Sequence, residues 1–352
     1  MALTLDARAC LAPEASGDTL AQAQAAIAEA ARRLRAGQLV GLPTETVYGL
    51  AADADQPDAV ARIFAAKGRP TDHPLIVHVA GATPAQWGAA ADHYARELPE
   101  FAERLMAAFW PGPLTLILPR RPGVGQAAAG GQDSIGLRCP GHPVAQALLQ
   151  ACQAEGVLGL AAPSANRFGR VSPTTAAHVV DEFQGLLDDE ALLVLDGGPC
   201  PVGIESTIID CTRGRPVLMR PGMLPLSALE AAAGQAVAER DAQAPRASGT
   251  LASHYAPNAR VRLMPGAEIQ AALDLLGGDA RHIAVYSRTQ VNSASAHVRL
   301  ERMPAEARAC AQELFAVLRA LDRHDTRLIW VETPPDDPAW DGVRDRLTRA
   351  AA

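Results

Sequence analysis

Eight apolar runs of five to seven residues divide the first two thirds of the chain: QLVGL (38–42), PLIVHVA (74–80), LTLIL (114–118), SIGLR (134–138), VLGLAA (157–162), LLVLD (192–196), STIID (206–210) and PVLMR (216–220). Runs this short, bounded by turn residues, fit strands. Between them the apolar spacing switches to the helical period. After a cap at Asp18, Leu20, Ile27 and Leu34 share one stripe that Gly37 ends. After Pro57, Val60, Ile63 and Phe64 point inward until Gly68 and Pro70 stop the helix. Residues 143–155 and 173–184 read as further helices. This mixture predicts one α/β domain over 18–232, preceded by an irregular lead-in at 1–17.

Residues 233–258 are rich in Ala, Gln, Ser, Gly and Pro and read as a linker. Beyond it the sequence alternates again: strand 260–264, helix 268–276, strand 282–287, helix 304–322, strand 327–332, helix 340–350. Three such βα units over 259–352 predict a small Rossmann-like three-layer parallel-sheet domain.

Composition removes several function classes. The net charge is −7 and aromatic residues make up 4% of the chain, which argues against a charge-driven or stacking surface for nucleic acid. The six cysteines, at 10, 139, 152, 200, 211 and 310, form no C-x-x-C pair and read as reduced thiols. No stretch of about 18 apolar residues and no signal-like N-terminus occurs, so a soluble cytoplasmic protein without membrane contact is expected. The common phosphate-loop, dinucleotide, nucleophile-elbow and zinc-protease motifs are absent. His142, His178 and His254 are not in zinc-ligand spacing with cysteines.

Polar groups instead collect where strands end. GLPTETVYGL sets Thr44, Glu45 and Thr46 inside an apolar stretch. AAKGRP puts Lys67 in the last turn of a helix and Arg69 just past Gly68, either to complement the helix dipole or to grip a polyphosphate. His78 lies inside an apolar strand, as a hydrogen-bonded core residue or a pocket donor. Ser134, Gly136 and Arg138 share one strand face; Arg138 needs either a core acid or an anionic ligand. In LAAPSANRFGRVSP, Ser164 and Asn166 precede Ser172, read as the cap of a helix beginning at Pro173. Ser206, Thr207 and Arg220 repeat the pattern. Open α/β sheets bind ligands at such ends, and these segments together describe a pocket for an anionic, hydroxyl-rich ligand.

PTETVYGL, KGRP, HPLIVHV, WPGPLTLIL, IGLRCP, APSAN, ESTI and RPG occur in the order seen in the YrdC-like family. With its C-terminal extension the chain resembles the two-domain members, strongly over about 20–225 and more loosely beyond. The resemblance implies a YrdC-like twisted-sheet catalytic domain followed by the smaller α/β domain. It also implies condensation of L-threonine, bicarbonate and ATP into threonylcarbamoyl-AMP and pyrophosphate, with a separate tRNA threonylcarbamoyl transferase using the product. Carried over by motif, Thr46, His78, Arg138, Ala162 and Ser206 would surround threonine. Lys67, Arg69, His73, Ser134, Ser164, Asn166, Ser172 and Arg220 would hold ATP. Lys67 and Arg69 would neutralise charge on the phosphates, with Mg2+ carried mainly by ATP. His73 stands where relatives often have asparagine.

The linker departs from the family. Many two-domain relatives carry a segment resembling SPGMKYRHYAP, which can cover the active site; here residues 247–257 read ASGTLASHYAP. His254 and Tyr255 remain as lid candidates, without the lysine. The rival readings are a noncatalytic RNA-binding module of the same fold, with weak tRNA contact, and the carbamoyltransferase of hydrogenase maturation. The latter resembles longer chains with acylphosphatase and zinc segments absent here. A C-terminal domain with a regulatory ligand of its own is a third reading.

Overall fold

The computed structural model of the chain describes every residue except Met1, Pro13, Ala15 and His324. It divides into two compact units, which meet in the sequence at Thr250 and Leu251; Gly169–Ser172 and Val202–Ile204 group with the second unit.

The first unit is built on an eleven-stranded mixed sheet. In chain order its strands are β1 (Leu3–Asp6), β2 (Leu39–Leu42), β3 (Gly49–Asp53), β4 (Ile76–His78), β5 (Leu114–Pro119), β6 (Ser134–Arg138), β7 (Leu160–Ala161), β8 (Leu192–Asp196), β9 (Thr207–Asp210), β10 (Val217–Arg220) and β11 (Ala238–Glu239). Across the sheet they run β1-β8-β2-β3-β7-β4-β6-β5-β9-β10-β11. Helices α1 (Gly17–Arg35), α2 (Pro57–Lys67), α3 (Pro84–Tyr94), α4 (Glu100–Phe109), α5 (Pro143–Ala154), α6 (Ala176–Phe183) and α7 (Leu226–Ala233) complete the unit. Three apolar clusters are buried in it: one includes Tyr48, Leu50, Ile63, Leu116 and Leu137, a second Ile27, Leu34, Val40, Leu148 and Leu193, and a third Ile117, Ile208, Val217, Met219 and Ala247. All six cysteines of the chain are free thiols.

Several sequence expectations need correction. The lead-in contains β1, which pairs in parallel with β8 from Leu3↔Leu193 to Asp6↔Asp196. Helix α1 is capped by Ser16, whose hydroxyl accepts from Thr19 N, not by Asp18, and Leu20 is 37% exposed. Its inward stripe is Ala23, Ile27, Ala30, Ala31 and Leu34; alanines let α1 approach the sheet closely where Leu20 does not. Ser172 does not cap a helix beginning at Pro173. The carbonyls of Pro173 and Thr174 accept from Tyr48 N and Cys200 N, keeping this stretch extended, and α6 starts three residues later under the Thr175 hydroxyl. PLIVHVA and VLGLAA are strands only over Ile76–His78 and Leu160–Ala161.

The second unit has a four-stranded sheet of β12 (Arg260–Met264), β13 (Ile283–Ser287), β14 (Arg299–Arg302) and β15 (Leu328–Glu332), ordered β12-β15-β13-β14 and parallel throughout. Helices α8 (Gly266–Leu276), α9 (Ala307–Leu321) and α10 (Asp341–Ala350) accompany it. The edge strand β14 was not expected; its pattern is mostly exposed and lacks the apolar run by which the other strands are recognised. Glu332, at the carboxyl end of β15, accepts from Ser287 Oγ (2.7 Å), Thr289 N (2.6 Å) and Arg288 Nη2 (2.9 Å). An internal network therefore fills the strand ends, where open sheets of this kind commonly take ligands. No helix among the described residues is long and apolar enough to cross a membrane.

Candidate active site

The polar insert of GLPTETVYGL lies in the turn between the antiparallel strands β2 and β3, and all of Thr44, Glu45 and Thr46 are buried. Thr44 shapes that turn: its hydroxyl donates to Val47 O (2.6 Å) and lies 2.9 Å from the Thr46 hydroxyl. Held this way, Thr46 Oγ1 accepts from Arg138 Nη1 at 2.8 Å. Glu45 also turns inward, and its Oε1 lies 2.6 Å from Arg138 Nη2. Arg138 Nε donates to Gly112 O at 3.2 Å. The guanidinium, 3% exposed at the end of β6, is thus paired with an acid. His78 is the register partner of Arg138 across β4 and β6. Burial, with the Arg138 charge beside it, drives the His78 pKa down to about 3, so this imidazole is neutral at pH 7.

Helix α2 delivers two cations. Gly68, with φ 60°, takes the left-handed position that ends the helix and turns the chain toward Arg69. Lys67 is the single lysine among 32 basic residues. Its buried Nζ donates to Ser164 O at 2.5 Å and to Asn166 O. It therefore organises the loop after β7 rather than complementing its own helix end. Burial, then the neighbouring Arg69 charge, pushes its pKa well down. A compact ammonium suits two converging carbonyls; the planar fork of arginine does not.

Arg69 donates to Pro74 O (2.9 Å) and Ser248 Oγ (3.2 Å), with its guanidinium over the Phe168 ring at 5.6 Å. His73 meets the same ring edge-on at 5.4 Å, and its carbonyl accepts from Arg69 Nε at 3.4 Å. On β10, Arg220 donates to Ser206 O (2.9 Å), Ser206 Oγ (3.2 Å) and Ser248 O (3.0 Å). Ser206 Oγ lies 2.8 Å from Thr115 Oγ1 on β5. Gly222 keeps this corner tight, because a Cβ there would lie 2.6 Å from Thr207 N.

Ser248 thus bridges Arg69 and Arg220. A cavity beneath it is lined by Ile76, Thr115, Ser134, Gly136 and Ala247. With Ala247 and Ser248 in place it holds about 20 Å³, room for roughly one water. Gln132 anchors the segment by pairing its side-chain amide with Arg246, through Nε2 to O (3.2 Å) and N to Oε1 (3.0 Å). Ala162 N donates to Ile76 O at 2.9 Å, setting the end of β7 against β4. Asn166 Nδ2 donates to Arg167 O.

The first unit therefore contains Thr46, Lys67, Arg69, His73, His78, Ser134, Arg138, Ala162, Ser164, Asn166, Ser206 and Arg220. Ser172, His254 and Tyr255 fall in the second unit. There, Tyr255 has φ 60° and is packed between the His254 ring (4.2 Å), Phe315 (5.4 Å) and the Arg346 guanidinium (5.5 Å). Sequence reasoning missed three contributors. Glu45 was signalled by a carboxylate inside an apolar stretch; Thr115 and Ser248 carried no signal of their own.

Comparisons with known proteins identify the family of the chain. A family model described as "Telomere recombination" matches residues 32–222, and one described as "Threonylcarbamoyl-AMP synthase, C-terminal domain" matches 224–352. Threonylcarbamoyl-AMP synthase of Pyrococcus abyssi is 36% identical over 92% of this chain and 93% of its own length. That of Bacillus subtilis is 35% identical over 95% of both chains. The solved structure of P. abyssi Sua5 complexed with L-threonine superposes with a TM-score of 0.83 and 32% identity, covering 100% of this chain and 97% of that one. Fold and relatives thus define a nucleotidyltransferase-type enzyme of the YrdC-like class. Within that class the chain belongs to the two-domain Sua5 family.

Proposed function

We propose that this protein condenses L-threonine, bicarbonate and ATP into threonylcarbamoyl-AMP and pyrophosphate, the intermediate that a separate transferase places on tRNA. What supports the reading is a pair of buried cation clusters in the first unit, read as two ends of one site. At one end Arg138 and the Thr46 hydroxyl suit an amino acid. At the other, Arg69 and Arg220 converge on a single seryl group, as they would on a phosphate. The names of the relatives and the threonine complex of P. abyssi Sua5 support the same assignment.

In this reading Arg138 holds the threonine carboxylate while neutral His78 lines the wall. The α-ammonium gives up a proton, the free amine adds to bicarbonate with loss of water to form the carbamate, and the carbamate oxygen attacks the α-phosphorus, displacing pyrophosphate. Arg69 and Arg220 stabilise the charge that develops as pyrophosphate leaves. Lys67 acts through the Ser164–Asn166 loop, whose shape it fixes. Ala247 and Ser248 give way to the nucleotide, since the cavity beneath them is far smaller than a nucleotide pocket. Mg2+ would arrive on the triphosphate and neutralise part of its charge.

Pyrophosphate release, measured with ATP, bicarbonate and each amino acid in turn, tests the proposal. Release that depends on threonine and bicarbonate is expected. Release indifferent to threonine, or equally strong with serine, would remove the assigned substrate. Salt-sensitive tRNA binding without ATP consumption would favour the noncatalytic RNA-binding reading.

A further inference from the structure

Glu45 is left with a buried carboxylate that makes an ion pair but no hydrogen bond among the described residues. Oε1 forms an ion pair with Arg138 Nη2 at 2.6 Å, yet both carboxylate oxygens are buried and neither has a hydrogen-bond partner among the described residues. A charged acceptor cut off from water is among the most unfavourable groups to leave without a donor. His142 Nδ1 is likewise buried and without a partner among the described residues. The site is therefore built to receive hydrogen-bond donors that the protein itself does not supply.

The charges around Glu45 indicate which donor fits. Arg138 comes from the end of β6, followed by Cys139; His142 caps the start of α5, and Cys200 follows β8. Burial raises the Cys139 thiol to about 11 and raises that of Cys200 further, so both stay protonated. Burial lowers the His142 pKa, partly opposed by the charge of Glu45. At neutral pH one guanidinium thus faces one carboxylate, with neutral groups around them. Such a receptor has no net charge but separated poles, which matches an α-amino acid zwitterion better than a free anion or cation.

We propose that Glu45 Oε2 accepts from the α-ammonium of the amino-acid substrate, while Arg138 takes its carboxylate. This rests on the amino-acid reading of the site given above and makes Glu45 a specificity-determining residue. It also explains why the polar turn contains an acid rather than a third hydroxyl.

The test compares calorimetric binding of two probes to the full-length protein. The probes are L-threonine and 2,3-dihydroxybutanoate, which keeps the carboxylate and side-chain hydroxyl but lacks the ammonium. Wild type is expected to prefer threonine by roughly 30-fold or more, the lower end for losing a buried charge contact. Glu45→Gln should bring the two probes near parity, and Glu45→Asp should restore part of the preference. A Glu45→Gln variant that weakens both probes equally would overturn the proposal, because Glu45 would then act only by holding Arg138. If Glu45→Gln does not fold, Glu45→Asp decides alone: a preference unchanged from wild type overturns the proposal, and a reduced one supports it. Wild type binding both probes equally would also overturn it. Wild type binding neither would overturn the threonine reading itself.

Discussion

The two ends of the site treat buried cations differently. Arg138 is held by a carboxylate at 2.6 Å. Lys67 is held by two backbone carbonyls and makes no ion pair among the described residues. A carboxylate offsets the charge of a buried cation, whereas a carbonyl supplies hydrogen-bond geometry only. The first arrangement suits a zwitterion, and the second shapes the loop after β7. The lesson is that the partner of a buried cation says more about its ligand than the cation does.

The comparison can be broken most forcefully at Arg138. Arg138→Ala leaves Glu45 buried and unpaired and should destabilise the fold by about 3–5 kcal/mol in chemical denaturation. Adding Glu45→Gln should recover much of that loss. A loss below about 1 kcal/mol would mean that the pair anchors nothing.

At the other end, Lys67→Ala removes the donor to two carbonyls. Pyrophosphate release should fall on the order of 100-fold while a cooperative unfolding transition persists. Unchanged turnover would mean that the loop shape set by Lys67 does not matter to catalysis.

His78 sharpens the comparison through pH. Its folded pKa is depressed to about 3, whereas the unfolded imidazole protonates near 6.5. Below 6.5 the unfolded state binds more protons, so stability is full above that pH and falls as pH drops toward 3. Between pH 6.5 and 5 the loss should be up to about 2 kcal/mol in urea titrations, and smaller in His78→Gln. An identical acid limb in both proteins would show that His78 is not the group responsible.

The smallest effect is expected at Ser248. Ser248→Ala removes one hydroxyl contact to Arg69 but keeps the carbonyl contact to Arg220, so stability should change by less than about 1 kcal/mol. A larger loss would mean that this hydroxyl, rather than Gln132, holds the segment down.

Much of the first unit was legible because its strands are apolar runs and α2 carries both of its boundary signals, Pro57 and Gly68. Strand β1 was not: LTLD is short and half exposed, and only its pairing with β8 makes it a strand. The start of α6 was misread because Ser172-Pro173 looks like a cap. That choice is settled by long-range bonds to Tyr48 and Cys200, which no local pattern reveals. At the site, the need for a partner to Arg138 was readable from its apolar strand. Its identity was not, because Glu45 and Arg138 are far apart in sequence and meet only through the fold.

The most direct measurement of a two-ended site is the pair of KM values, for threonine and for ATP, in conservative variants of each end. Arg138→Lys keeps a charge opposite Glu45, and Arg220→Lys keeps one beside Ser206. A crossed pattern is expected: the threonine requirement rises in the first variant and the ATP requirement in the second, each with the other substrate little affected. Equal shifts in both KM values for both variants would contradict the division of the site on which the rest depends.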